Sequence, residues 1–273
     1  MTDGVGKVTP AQLFAPELAP AGGKGRAAAD WVDHAQFLDG DGRLEMPIGA
    51  LVVVAAERVV LVDGGYGPAV PATVENGASL LRNLAAAGFT PDDVTDVVFS
   101  HLHADHIGWA SVDGVATFPR ATYRCDARDW AHFVDGAADD QASDAAYRRN
   151  AYDKLTPIAA RFETWSSDGP LFGGVDVVHA PGHTPGNNMI VLSAGSERAV
   201  FLGDVVHCPV QLLDDEWARI ADVDEAIARR TQARIARELE AAGTPVVGAH
   251  FPGLRFGRVL FGDAGRQWVI VDR

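Results

Sequence analysis

Short apolar runs closed by glycine, proline or aspartate recur along the chain, a pattern of strands joined by tight turns. Ile48 to Ala56 and Arg58 to Val62 lie on either side of Ala56-Glu57 and predict a hairpin that ends in Asp63-Gly64-Gly65. From Asn76 to Ala87, Leu80, Leu81 and Leu84 fall at helical spacing and Gly88 is the stop. Thr90-Pro91 then turns the chain into a strand from Val94 to Ser100. Ala121 to Cys125 reads as another strand, and Ala127 to Phe162 as mostly helical. Val175 to His179 is a strand, as are Met189 to Leu192 and Ala199 to Leu202, which pair. Glu216 to Ala242 is an amphipathic helix with Ile220, Val223, Ile227, Ile235 and Leu239 on one face, closed by Gly243. Pro245 to Gly248, Val259 to Phe261 and Trp268 to Val271 complete the strands.

Strand, helix and strand in this order predict an α/β (α+β) layered fold with ligands at the carboxyl ends of the strands. Residues 1–28, rich in Ala, Gly and Pro, read as a loosely ordered N-terminal arm. Residues 29–273 read as a single domain carrying a helical insertion at about 127–165. In that insertion Trp130, Phe133, Tyr147, Tyr152, Phe162 and Trp165 either pack the core or wall a substrate pocket. The Asp-Gly-Asp-Gly run at 39–42 is a plain turn, since the other ligands of a calcium loop are missing.

A formal net charge of −14, with no cluster of Lys and Arg, argues against nucleic acid and anionic membranes as partners. Two cysteines, Cys125 and Cys208, make no disulfide framework, so a cytoplasmic location is the default expectation. Met1 to Pro20 has no signal-peptide pattern, and the longest apolar run is too short to span a bilayer. No repeat period is visible, and the chain leaves homo-oligomerisation open.

The chemistry concentrates in His101-Leu102-His103-Ala104-Asp105-His106, three of nine histidines within six residues. Imidazole and carboxylate together suit zinc, or less exclusively iron, manganese or cobalt. Residues two apart point to nearly opposite sides of a helix, so His101 and His103 can share one ion only from an extended or loop segment. Further strand ends deliver His183, in a loop stiffened by Pro181, Gly182, Pro185 and Gly186, then Asp204 and His250. Five histidines and two carboxylates exceed one ion's needs and are too oxygen-rich for a closed structural zinc knot, which usually uses cysteine. They predict a catalytic centre of two divalent metal ions. Asp63, at the end of a buried strand, is either a turn residue or an acid approaching that centre.

This ordered set resembles that of the metallo-β-lactamase-fold hydrolases, whose hallmark is His-x-His-x-Asp-His followed by a Gly-His, a Gly-Asp and a late His, with the likeness running from about Ile48 to His250. The resemblance implies a four-layer αβ/βα sandwich. It implies His101, His103 and His183 around one ion, Asp105, His106 and His250 around the other, Asp204 bridging, and Asp63 orienting a ligand histidine. It also implies a shared hydroxide that attacks an ester, lactone or phosphotriester, with Asp105 accepting or relaying the proton. Within the family, the segments around His183, Asp204 and His250 are most similar to N-acyl-homoserine lactonases and methyl-parathion-type hydrolases. The lactonases commonly carry a tyrosine shortly after the bridging Asp. Here that interval holds Val205, Val206, His207 and Cys208, a departure toward the organophosphate-hydrolase side.

The alternatives are a mononuclear-iron persulfide dioxygenase, disfavoured by the complete second ligand set, and a glyoxalase-II-like thioesterase, whose basic tail is not evident. His207 is close enough to line the pocket, whereas His34, His132 and His179 read as structural or surface residues, and Cys208 as a packing thiol.

Overall fold

The computed structural model describes residues 1–14, 24–25, 27–139, 143–217, 222–263 and 265–271. Two sheets face one another. The five-stranded sheet runs in the order Phe162–Trp165, Thr122–Asp126, Asp96–Val98, Arg58–Val62, Leu51–Ala55. The seven-stranded sheet runs Gly169–Phe172, Val175–His179, Asn188–Ala194, Glu197–Phe201, Val246–Val247, Gly257–Gly262, Gly265–Ile270.

Strand alternation explains the layering, because successive side chains leave opposite faces of a sheet. Val60, Val62 and Val98 point from the first sheet into a core shared with Val177, Ile190, Phe201 and Val247 of the second. Leu61, Val97 and Phe99 point the other way, onto Leu80, Leu84, Phe133 and Leu155 of the helical layer. The helix Glu225–Ala242 joins the inter-sheet cluster through Ile235, Ala236 and Leu239. Helices, sheet, sheet and helix make the expected four-layer αβ/βα sandwich.

Several expectations need correction. The N-terminal arm is not loose throughout: Thr2–Val8 is a strand, antiparallel to both Leu44–Gly49 and Val74–Glu75. Its glycines allow the contact, since a Cβ on Gly4 would stand 2.6 Å from Val74. Buried Asp3 pins it by accepting hydrogen bonds from the Leu80 and Gly67 amides and the Trp109 indole. Composition could not reveal a strand whose partners are remote in sequence. Within the arm, residues 15–23 and 26 lie outside the described residues.

Ile48 belongs to the small sheet formed by this strand, so the hairpin begins only at Leu51 and turns at Ala56. The helix read from Asn76 starts at Leu80, because Asn76 and Ala78 take positive φ, a turn conformation. The 127–165 segment is not wholly helical. Phe162–Trp165 is the edge strand of the first sheet, parallel to Thr122–Asp126. The long helix begins at Glu225, where Asp224 caps it by accepting from the Ile227 amide, and Gly243 ends it in the left-handed conformation. Ile220 lies outside the described residues, and Val223 precedes the helix and is exposed. No helix among the described residues is long and apolar enough to cross a membrane.

Candidate metal centre

The site lies where strands of both sheets end. After Asp96–Val98 the chain runs non-helically through His101 and His103 and then makes one helical turn, Ala104–Ile107. His101 and His103 therefore lie outside the helix, as their spacing demands, while Asp105 and His106 sit on it. Glycines permit the tight return. A Cβ on Gly108 would overlap the backbone of Tyr66, so only glycine lets the strand-end loop 63–67 approach this close. His183, Asp204 and His250 come from loops after Val175–His179, Glu197–Phe201 and Val246–Val247.

All seven side chains come together, and they form two unlike groups. His101 Nε2, His103 Nδ1 and His183 Nε2 converge, with His103 Nδ1 3.1 Å from the first and 2.9 Å from the last. Such spacing approaches the roughly 3.3 Å between nitrogens sharing a tetrahedral ion. On the other side, Asp105 Oδ2 stands 3.7 Å from His106 Nε2 and 3.4 Å from His250 Nε2. Asp204 lies between. Its Oδ1 is 3.5 Å from His106 Nε2 and 3.3 Å from His250 Nε2, and its Oδ2 is 3.4 Å from His183 Nε2.

The donor set fits divalent cations. Its ligand atoms lie within 4.8 Å of one another in overlapping groups of three. His106 Nε2 and Asp204 Oδ1 are fully buried with no hydrogen-bond partner, a costly state that a cation between them would relieve.

Carboxylates and carbonyls outside the centre fix the rings. Asp63 Oδ2 is 2.8 Å from His106 Nδ1, while its Oδ1 accepts from the Ser100 amide. Asp222 Oδ1 is 3.1 Å from His183 Nδ1, and the Pro47 carbonyl is 2.9 Å from His250 Nδ1. Anchoring the far ring nitrogen in this way selects the tautomer and aims the near one.

Burial and charge set the protonation. Burial, reinforced by His106, holds His101 well below the usual imidazole range, so it stays neutral and ligand-ready. Burial also pulls on His106, but Asp204, Asp63 and Asp105 hold it well above that range. Burial would raise Asp204, yet His207, His250 and His106 keep it well below the usual carboxylate value.

A cavity of about 380 Å³ opens onto this centre. Asp105, His103, Asp204 and His250 form its floor, and Val8, Leu13, Met46, Ile48 and Val74 its apolar wall. His207 lines it too, with Nε2 2.8 Å from Asp204 Oδ2. Tyr147, read as a core or wall residue, is 44% exposed and lies in the cavity beside His103, with ring centroids 4.7 Å apart. Tyr152 is also exposed and does not pack the core, whereas Phe133 is fully buried.

Sequence reading missed Tyr66, whose hydroxyl the Asp105 carboxylate and burial keep protonated at the cavity wall. It also missed Asp222 and the buried Asp129, neither of which sits in a recognisable motif. His132 pairs with Asp144, His179 contacts Arg128 and Pro185, and His34 stacks edge-on against Trp217, all away from the centre. Cys208 is buried, which pushes its thiol up to about 12 and makes it a poor thiolate.

Comparisons with known proteins bear on the fold and the family. An N-acyl homoserine lactonase of Bacillus sp is 23% identical over 179 residues, 58% of this chain and 63% of that protein. A probable metallo-hydrolase of Mycobacterium tuberculosis is 27% identical over 181 residues, 58% of this chain and 56% of that protein. The match spans less than two thirds of the length of these relatives. Among solved structures, the dizinc quorum-quenching lactonase AidC, in complex with its product, aligns at a TM-score of 0.83 and 23% identity, over 100% of this chain and 93% of that one. The hydrolase AbOPH aligns at a TM-score of 0.85 and 25% identity, with the same coverage. The family model of the metallo-beta-lactamase superfamily matches residues 46–249. The chain belongs to that superfamily.

Proposed function

We propose that this chain is a metal-dependent hydrolase that opens an ester, lactone or phosphotriester bond at two divalent cations, with zinc the preferred metal. The observation that carries the reading is the position of Asp204, whose two carboxylate oxygens face two separate ligand groups. His101, His103 and His183 would hold one cation, Asp105, His106 and His250 the other, and Asp204 would bridge them. Cations held there would lower the pKa of bound water toward neutrality and polarise the oxygen of the bond under attack.

The chain's own residues supply the rest. Asp105, at the cavity floor and 19% exposed, is placed to take a proton from the attacking water and pass it to the leaving oxygen. Protonated Tyr66 can donate a hydrogen bond to a substrate oxygen. The apolar wall shelters an acyl or aryl group, and the cavity volume falls in the range of small-molecule sites. AidC is a dizinc lactonase and the Bacillus relative an N-acyl homoserine lactonase, which supports zinc and a lactone-sized substrate here. His207, near the place where the lactonases carry a tyrosine, presents an imidazole to the cavity and keeps phosphotriesters in view.

The test is a panel of lactones, aryl esters, thioesters and phosphotriesters, assayed on zinc-loaded and chelated protein. Zinc-dependent turnover of a lactone, ester or phosphotriester is expected. Turnover confined to thioesters, or untouched by chelation, would refute the reading.

A further inference from the structure

We propose that Asp129 is the positioning residue of the His101, His103 and His183 group: its buried carboxylate clamps together the two loops that carry these rings and so sets the affinity of the cation held there. This rests on the ligand assignment proposed above.

Asp129 lies in the helical turn Ala127–Asp129, which follows the strand Thr122–Asp126, is capped by Asp126 accepting from the Arg128 amide, and runs on into Trp130–Val134. Its side chain is fully buried. Oδ2 accepts from the Leu102 amide at 3.1 Å and from the Thr184 hydroxyl at 3.0 Å, and Oδ1 accepts from the Gly186 amide at 2.6 Å. Leu102 stands between His101 and His103, and Thr184 follows His183. None of the three donors is a ring nitrogen, so Asp129 acts on the ligands through the backbone that carries them.

The approach is built into the sequence at Gly186. A Cβ there would stand 2.6 Å from the Asp129 amide nitrogen and 2.8 Å from Oδ1, so only glycine admits the carboxylate. Asp126 and Asn188 extend the seam. Asn188 donates from Nδ2 to Asp126 Oδ2 and to the Gly186 carbonyl, and from its amide to the Ser100 carbonyl. The all-nitrogen group is therefore assembled from both sheets across this seam. The His106 and His250 rings take their supports from Asp63 and the Pro47 carbonyl, neither of which touches Asp129, although Asp63 also holds Ser100 beside His101.

This division makes the inference separable from a merely structural role. Asp129→Asn keeps one acceptor for Gly186 but turns an NH₂ group toward two donors, which must move apart. Removing an outer support of a metal ligand costs roughly 10–100-fold in metal affinity. The experiment follows zinc binding to the full chain by chelator competition, with the visible spectrum of the cobalt-loaded protein as a second readout. His103→Ala marks which step belongs to the all-nitrogen group, and His250→Ala marks the other.

Asp129→Asn is expected to weaken only the step that His103→Ala removes, by about 10–100-fold, and to alter the cobalt spectrum of that position alone. Thr184→Val, which removes one of three donors, should weaken the same step less, and it carries the test if Asp129→Asn does not fold. Unchanged affinity in the folded variant, or an equal loss at both steps, would overturn the inference. If His103→Ala itself leaves both steps intact, the ligand assignment fails and the inference with it. If His103→Ala removes a step that Asp129→Asn spares, only the inference about Asp129 falls.

Discussion

The two halves of the centre are built differently. One is all imidazole, drawn from His101, His103 and His183, buried and close-set. The other mixes Asp105 with His106 and His250, spans longer separations, and faces the cavity through a carboxylate that is 19% exposed. A nearly closed set of borderline nitrogens favours tight retention of one cation. An oxygen-containing and more open set favours an ion that water and substrate can reach. On the proposed assignment the first half would serve as a prebuilt cradle and the second as the working face.

The largest expected effect is on turnover. His103→Ala should remove the nitrogen-held ion and abolish measurable hydrolysis while the protein stays folded, as judged by metal content, assay and circular dichroism together. Full activity in that variant would break the comparison at its root. A chelator of moderate strength should strip the open half first. Metal analysis during dialysis should pass through a plateau of one ion per chain before both are lost, and simultaneous release would show that the halves are equivalent.

A smaller effect is expected from Asp63→Asn, which weakens the hydrogen bond to His106 Nδ1. Affinity for the ion on the Asp105 side should drop by roughly 10–100-fold, with a smaller loss on the other side because Asp63 also holds Ser100 beside His101, read by the same metal analysis. The smallest effect is on pH. His106 and His250 are held above the ordinary imidazole range by neighbouring carboxylates, against the pull of burial. Both must lose a proton before ligating, so affinity at this half should keep rising with pH above the ordinary imidazole range. Burial holds His101 below that range, so no proton has to leave this ring before it ligates.

The candidate ligand residues were legible because they fall in short, ordered motifs at strand ends, a placement that local apolar patterning reveals. Their supports were not. Asp222 and Asp129 belong to no such motif, and only the folded chain brings them to His183, Leu102 and Gly186. The strand Thr2–Val8 was misread for the same reason: its glycines and polar residues look unstructured until Asp3 and the backbone ladder meet partners far along the chain. Tyr147 shows the converse failure. An aromatic at helical spacing reads as core or wall alike, and only its position beside His103 shows that it faces the cavity.

The most direct test of the central claim is the count of zinc ions bound by the purified, zinc-equilibrated chain beside that of Asp204→Ala. The account expects two per wild-type chain, and in the variant, loss of at least the cation on the Asp105 side. One ion or none in the wild type, or two bound equally tightly without Asp204, would contradict it.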